Sequence, residues 1–163
     1  MERTTSSAES LRFMRRAIEL ARHAVDSGEG LPFGAVIVRD GQIVAEGWNR
    51  SLVESDTTAH AEMVAIRRGC QGQRSLTLDG CEMYASAQPC PMCTSAIYLA
   101  RMKVVYFGAS YDDVTQLVPA LDVQPIAAAL AQPWDQRPIP ESRLLIDEAR
   151  QVFEEYAKRQ VAQ

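Results

Sequence analysis

Apolar residues recur at helical spacing between Ser10 and Ser27, at Leu11, Met14, Ile18, Ala21 and Val25, and the run stops at Gly28. That period predicts one amphipathic helix near the start of the chain. Two strand-like runs follow, Phe33 to Val38 and Ile43 to Trp48, joined by Arg39-Asp40-Gly41-Gln42. Asp-Gly between such runs predicts a tight hairpin, because both positions of the turn require positive φ. Thr57 or Thr58 is placed to cap a second helix that starts near His60, turns Ala61, Val64, Ala65 and Ile66 inward and ends before Gly69. Cys81 to Ser86 reads as a short buried strand, Pro91 opens a helix running to about Arg101, and Lys103 to Gly108 is another buried strand. Strand, helix and strand in that order make a βαβ unit.

Beyond Ser110 the pattern weakens. Asp122 to Ala131 fits a short helix, Pro133, Pro138 and Pro140 mark a loop, and Leu144 to Ile146 fits one more strand. Asp147 to Lys158 has acidic residues in its opening turns and basic residues at its close, the order a helix dipole favours. Its Val152, Phe153 and Tyr156 are expected to pack into the core. With 163 residues, no internal repeat and no composition break, a single domain over 1–163 is expected.

Composition narrows the function. A hydrophobic share of 47% is too high for a disordered chain. The net charge of -4 argues against a broad nucleic-acid surface, which needs clustered Lys and Arg. Arg67, Arg68 and Arg74 form the densest basic group and read as a solvated helix face. No apolar run is long enough to span a membrane, and Met1 to Ser7 lack the apolar core of a signal peptide, so a soluble cytoplasmic protein is expected. Cys70, Cys81, Cys90 and Cys93 are then expected as reduced thiols, Cys70 and Cys81 as small apolar fillers. His23 reads as an ordinary side chain of the first helix.

Two clusters stand apart: His60-Ala61-Glu62 and Pro89-Cys90-Pro91-Met92-Cys93, each at a predicted helix start. Cysteines two residues apart across a helix entry aim both sulfurs at one point, and with an imidazole they make a three-ligand zinc site that leaves a fourth position for water. The positive end of the helix favours the thiolate form. Glu62 beside such a site can accept a proton from water, deliver it to a ring nitrogen and then protonate a departing amine, which is hydrolytic deamination. A Cys-x-x-Cys alone would equally suit a redox motif or half of a structural zinc site; the linked His-Ala-Glu favours catalysis.

The combination of PFGAVIV, the Asp-Gly hairpin, TAHAE and PCPMC between about Leu31 and Gly108 resembles the cytidine-deaminase superfamily, within it most closely the guanine-deaminase branch, with tRNA adenosine deaminases as relatives. That resemblance implies a three-layer α/β/α fold with a mixed five-stranded sheet, and one catalytic Zn2+ per subunit held by His60, Cys90 and Cys93. It implies Glu62 as the proton carrier, Phe33 stacked on the base, Asn49 hydrogen-bonded to it and the Ala61 backbone reading its edge. Asp122, or else Asp112 or Asp113, would accept from the amine side of guanine. It further implies a homodimer in which Tyr156 and Phe153 help close the partner's site, and Ile97 and Tyr98 are a candidate dimer surface. The expected reaction is guanine to xanthine and ammonia; alternatives are guanosine, cytosine, isocytosine, an amino-triazine, adenosine in tRNA, or a zinc-stabilised module without activity. Two departures bear on tuning: Ala87-Gln88 stands where the family carries an acid before the first cysteine, and Leu99 where guanine deaminases carry Trp.

Overall fold

The computed structural model describes residues 8–161, so the polar lead-in at Met1 to Ser7 lies outside the described residues. The chain divides into two compact units, residues 1–124 and 125–163. The first opens with helix α1 (Ala8–Asp26) and the hairpin of strands β1 (Gly34–Arg39) and β2 (Gln42–Trp48). Asp40 and Gly41 both take positive φ, 51° and 75°, as the hairpin motif requires.

A short helix α2 (Ser51–Glu54) then leads to helix α3 (Ala61–Gln73), strand β3 (Glu82–Ala87), helix α4 (Pro91–Leu99) and strand β4 (Val104–Ala109). The strands form one mixed sheet in the order β2-β1-β3-β4, in which β1 pairs antiparallel with both β2 and β3, and β3 and β4 run parallel. That parallel pair with α4 between is the βαβ unit read from the pattern.

Alternation along β1 sends its side chains to both faces of the sheet. Val36 and Val38 pack with Phe13, Ala17 and Leu20 of α1 and with Tyr84, whereas Ala35 and Ile37 pack with Ala61, Ala65 and Ile66 of α3 and Ile97 of α4. The α/β/α layering is therefore as expected.

The number of strands is not. Among the described residues the sheet has four strands, since residues 141–145 have no regular structure and Ile146 already belongs to a helix. Leu145 takes a left-handed φ of 48°, which breaks the extended run expected over Leu144 to Ile146. A strand is held by a partner's backbone, and the described residues of its own unit offer none.

Two helix boundaries also differ. Thr57 and Thr58 cap nothing: Thr58 donates its hydroxyl and its N–H to Asp56 Oδ1, at 2.7 Å each, and His60 is the cap residue of α3. Gly69 does not end α3, which runs on to Gln73; Leu78 packs beside the glycine, 3.3 Å from where a Cβ would lie.

Ser110 opens helix α5 (Tyr111–Leu117) with a capping box, accepting the Asp113 N–H at 3.2 Å while its own N–H goes to the Asp113 carboxylate at 2.8 Å. A 3-10 turn at Pro119–Leu121 and helix α6 (Gln124–Leu130) follow, the latter within the expected bounds. In the second unit a 3-10 turn at Trp134–Gln136 precedes helix α7 (Ile146–Val161), on which Val152, Phe153 and Tyr156 are exposed rather than packed.

Candidate metal centre

His60 and Cys90 occupy equivalent positions, each the residue before a helix, with extended backbones (φ -68°, ψ 156° and φ -65°, ψ 169°) and with no side-chain cap at either helix end. A cap residue normally turns its oxygen to the free N–H groups of the first turn. Here both positions present metal-binding atoms instead. Cys93 and Glu62 sit inside the first turns of α4 and α3, both buried.

The three ligand atoms lie within 4.8 Å of one another. His60 Nδ1 is 3.5 Å from Cys90 Sγ and 3.5 Å from Cys93 Sγ, so Nδ1 is the ring atom that faces the sulfurs. Glu62 Oε2 accepts from Cys93 Sγ at 3.5 Å.

The protonation balance fits a cation. Cys90 is lowered to about 4, first by the hydrogen bond from Cys93 and then by His60. Cys93 is pushed up by the same bond to Cys90 and by burial. Glu62 is raised, chiefly because burial disfavours its charge, and His60 is raised by its bond to Cys90. Two thiolates beside a carboxylate need a dication among them.

Asn49 is fully buried, and the next residue, Arg50, donates its N–H to the carbonyl of Ala59, the neighbour of His60, at 2.9 Å. Asn49 Oδ1 accepts three hydrogen bonds, from Leu31 N at 3.0 Å, Ser51 N at 3.1 Å and Ser51 Oγ at 2.7 Å. Two of those donors are backbone N–H groups, which settles which end of the amide is oxygen. Nδ2 is then a buried donor without a partner. Phe33 lies next to it through the Asn49 N–H bond to the Phe33 carbonyl at 3.0 Å, and its half-buried side chain packs on the core.

Ala61 is buried as the first residue of α3. Asp122 is exposed and accepts the Gln124 N–H at 2.9 Å. Asp113 is engaged in the α5 capping box, and Asp112 accepts from Gln124 Nε2 at 3.4 Å. Tyr156 lies in the second unit, exposed on α7. The structure thus brings His60, Glu62, Cys90 and Cys93 into one cluster and joins Phe33 to Asn49.

The remaining histidine and cysteines behave as read. His23 meets the Trp48 ring edge-on with centroids 4.9 Å apart, Cys81 is buried in the core, and Cys70 packs half-buried against it. Arg68 lies 4.6 Å over the Trp48 ring, and Arg67 reaches Thr58 at 3.1 Å.

Residues outside any motif also shape the site. At Gly30 a Cβ would fall 2.2 Å from the Asn49 carbonyl oxygen, so only glycine admits Asn49 there. Pro89, which precedes Cys90, has its carbonyl bonded by Thr94 Oγ1 at 3.1 Å and by the Tyr111 hydroxyl. The spacing Ser110-x-x-Asp113 is the sequence signal that places Tyr111.

This fold and this cluster define a zinc-dependent deaminase, an enzyme that hydrolyses the C–N bond of an amino-substituted ring. Residues 7–109 match the cytidine and deoxycytidylate deaminase zinc-binding region, and the chain belongs to that family. It is 42% identical to a guanine deaminase of Bacillus subtilis over 142 residues, 87% of this chain and 90% of the other. The X-ray structure of guanine deaminase from Bacillus subtilis superposes with a TM-score of 0.85 at 40% identity, covering 90% of this chain and 92% of that one. A tRNA-specific adenosine deaminase of Aquifex aeolicus is 34% identical over 139 residues, 83% of this chain and 90% of the other.

Proposed function

We propose that the substrate is a free purine base and the reaction guanine plus water to xanthine plus ammonia. The observation that carries the chemistry is Glu62, a buried carboxylate in the first turn of α3, in hydrogen-bond contact with Cys93. His60, Cys90 and Cys93 would hold zinc, which when bound would supply an acidified water to the site. Glu62 accepts the water's proton and passes it to a ring nitrogen, then takes a second proton from the hydroxyl added to the ring carbon, as that becomes the carbonyl, and gives it to the leaving amine; its raised pKa suits a group that must both take and give a proton.

The other roles are those that the family resemblance implies. The unpartnered Asn49 Nδ2 donates to a ring acceptor, Phe33 stacks on the base and the Ala61 backbone reads its edge. Asp122 accepts from the amine side of the ring. Two observations favour guanine over a tRNA adenosine: at similar coverage the likeness to the guanine deaminase is higher, 42% against 34%, and the net charge of -4 offers little for a phosphate backbone.

We further propose that residues 1–163 act as one deaminase domain in a cytoplasmic homodimer. The exposed Val152, Phe153 and Tyr156 on α7 support the dimer, with Tyr156 closing a partner's site. The described residues contain no helix long and apolar enough to cross a membrane.

The deciding experiment is an ammonia-release screen of zinc-loaded protein against guanine, guanosine, adenine, cytosine, cytidine, isocytosine, an amino-triazine and tRNA. Ammonia and xanthine from guanine are expected. Silence on every free base, with inosine forming in tRNA, assigns the second reading. Sedimentation of the Phe153→Ser, Tyr156→Ser double variant tests the dimer, which should shift toward monomer.

A further inference from the structure

We infer that Tyr111 is a positioning residue of the metal centre: its hydroxyl, donated to the Pro89 carbonyl, holds the backbone from which Cys90 reaches the metal. The inference rests on His60, Cys90 and Cys93 being the ligands, and it concerns how their geometry is kept.

Cys90, like His60, takes little support from its own helix. It stands before α4 rather than inside it, and its thiol is only half-buried. Within α4 it is tied by one backbone bond, Thr94 N–H to the Cys90 carbonyl at 2.8 Å. What fixes its approach is the two-residue bridge from β3, Gln88-Pro89. Proline has no N–H, so the only backbone polar group of Pro89 is its carbonyl, and that oxygen carries two side-chain bonds, from Tyr111 and Thr94.

Tyr111 is itself held firmly. It is the first residue of α5, behind the capping box of Ser110 and Asp113. Its N–H donates to Gln88 Oε1 at 3.2 Å, and the Gln88 N–H donates to the Ala109 carbonyl at 2.8 Å. The ends of the parallel strands β3 and β4 are thus clamped by three bonds, and all three run between residues 88–89 and residues 109–111.

Gln88 gains a meaning from this clamp. Its amide oxygen serves Tyr111 without adding a fourth anion near Cys90, Cys93 and Glu62. Tyr111 also lies within electrostatic reach of those three groups, which with burial raise its own pKa. Metal-ligand supports of this kind are typically worth 10–100-fold in affinity or activity.

The test titrates metal-free wild type, Tyr111→Phe and Thr94→Val with Co2+, reading the thiolate-to-metal absorption band, and competes Zn2+ against a chelator. For Tyr111→Phe, metal affinity about tenfold weaker and a shifted Co2+ band are expected. The metal-free melting temperature should fall no further than one hydrogen bond explains, a few degrees. Unchanged affinity and an unchanged band overturn the inference, as does a loss of metal matched by an equal loss of metal-free stability. Should Tyr111→Phe fail to fold, Thr94→Val decides: it frees the same carbonyl of its other donor and should move affinity and band in the same direction, and no movement overturns the inference. Wild type that binds no Co2+ removes the ligand assignment itself and this inference with it, an outcome visible before any variant is made.

Discussion

A Cβ on Gly47 would lie 2.2 Å from the carbonyl oxygen of Ala61. Strand β2 and the start of α3 therefore touch backbone to backbone, at the residue between His60 and Glu62.

Gly47→Ala should accordingly injure the site as well as the fold. The overlap is with main chain, which cannot swing aside, and overpacking of this kind costs about 3 kcal/mol, roughly 10 °C in melting temperature for a domain this size. Because relief requires α3 to shift, zinc content should fall with it. Scanning calorimetry and metal analysis check both, and a variant with normal zinc and normal melting would show that the contact is not rigid.

Glu62→Gln should separate metal binding from turnover. None of the three ligands is touched, so zinc content should match wild type, while loss of the proton carrier should lower kcat by about 10²–10⁴. Since burial already disfavours the Glu62 charge, the neutral amide should not lower metal-free stability. Retained turnover would move the proton-carrying role elsewhere.

Two substitutions at Asn49 should split its duties. Asn49→Asp keeps the acceptor for Leu31 N and for Ser51 but has no NH2 to offer, so the protein should fold with turnover at least 100-fold down. Asn49→Ala leaves two part-buried N–H groups short of a partner, at up to about 1–3 kcal/mol each, and should lower stability. Equal melting temperatures for the two variants would contradict this division.

The Arg16–Glu46 pair offers a pH signature. Both Glu46 oxygens accept from the Arg16 guanidinium, at 2.7 and 2.9 Å, and these bonds hold the Glu46 pKa below its ordinary 4.5. A lowered carboxylate pKa contributes stability that is present above pH 4.5 and is lost as pH falls through the folded value. The pair is partly exposed, so Glu46→Gln should cost about 0.5–1 kcal/mol at neutral pH. Denaturant unfolding of the metal-free proteins should show that difference shrinking below pH 4.5; a constant difference would refute the assignment.

The metal cluster was legible because each half lies in a local pattern: a helical period after His60, and Pro-Cys-Pro-x-Cys at a strand end. The hairpin was legible for the same reason, Asp40-Gly41 carrying its geometry in two residues. What local pattern misses is long-range. Gly69 looks like a stop until Leu78 packs beside it, and the Asn49 role as a loop hub depends on Leu31, 18 residues away. Leu144 to Ile146 has strand-like residues, yet a strand exists only where a neighbour supplies its ladder. Helix α5 is the opposite case, since Ser110-x-x-Asp113 announces a capping box and was hidden only by its weak apolar period.

His60 and Cys90 occupy cap positions whose own helices receive no cap from them. Serine or aspartate at either place would tie down free N–H groups, worth about 0.5–2 kcal/mol apiece, and would abolish the ligand set. The enzyme thus keeps two uncapped helix openings where selection for durability alone would close them. A screen for heat-resistant variants should return inactive proteins altered at these two positions, and its most robust products should be the ones that have stopped being deaminases.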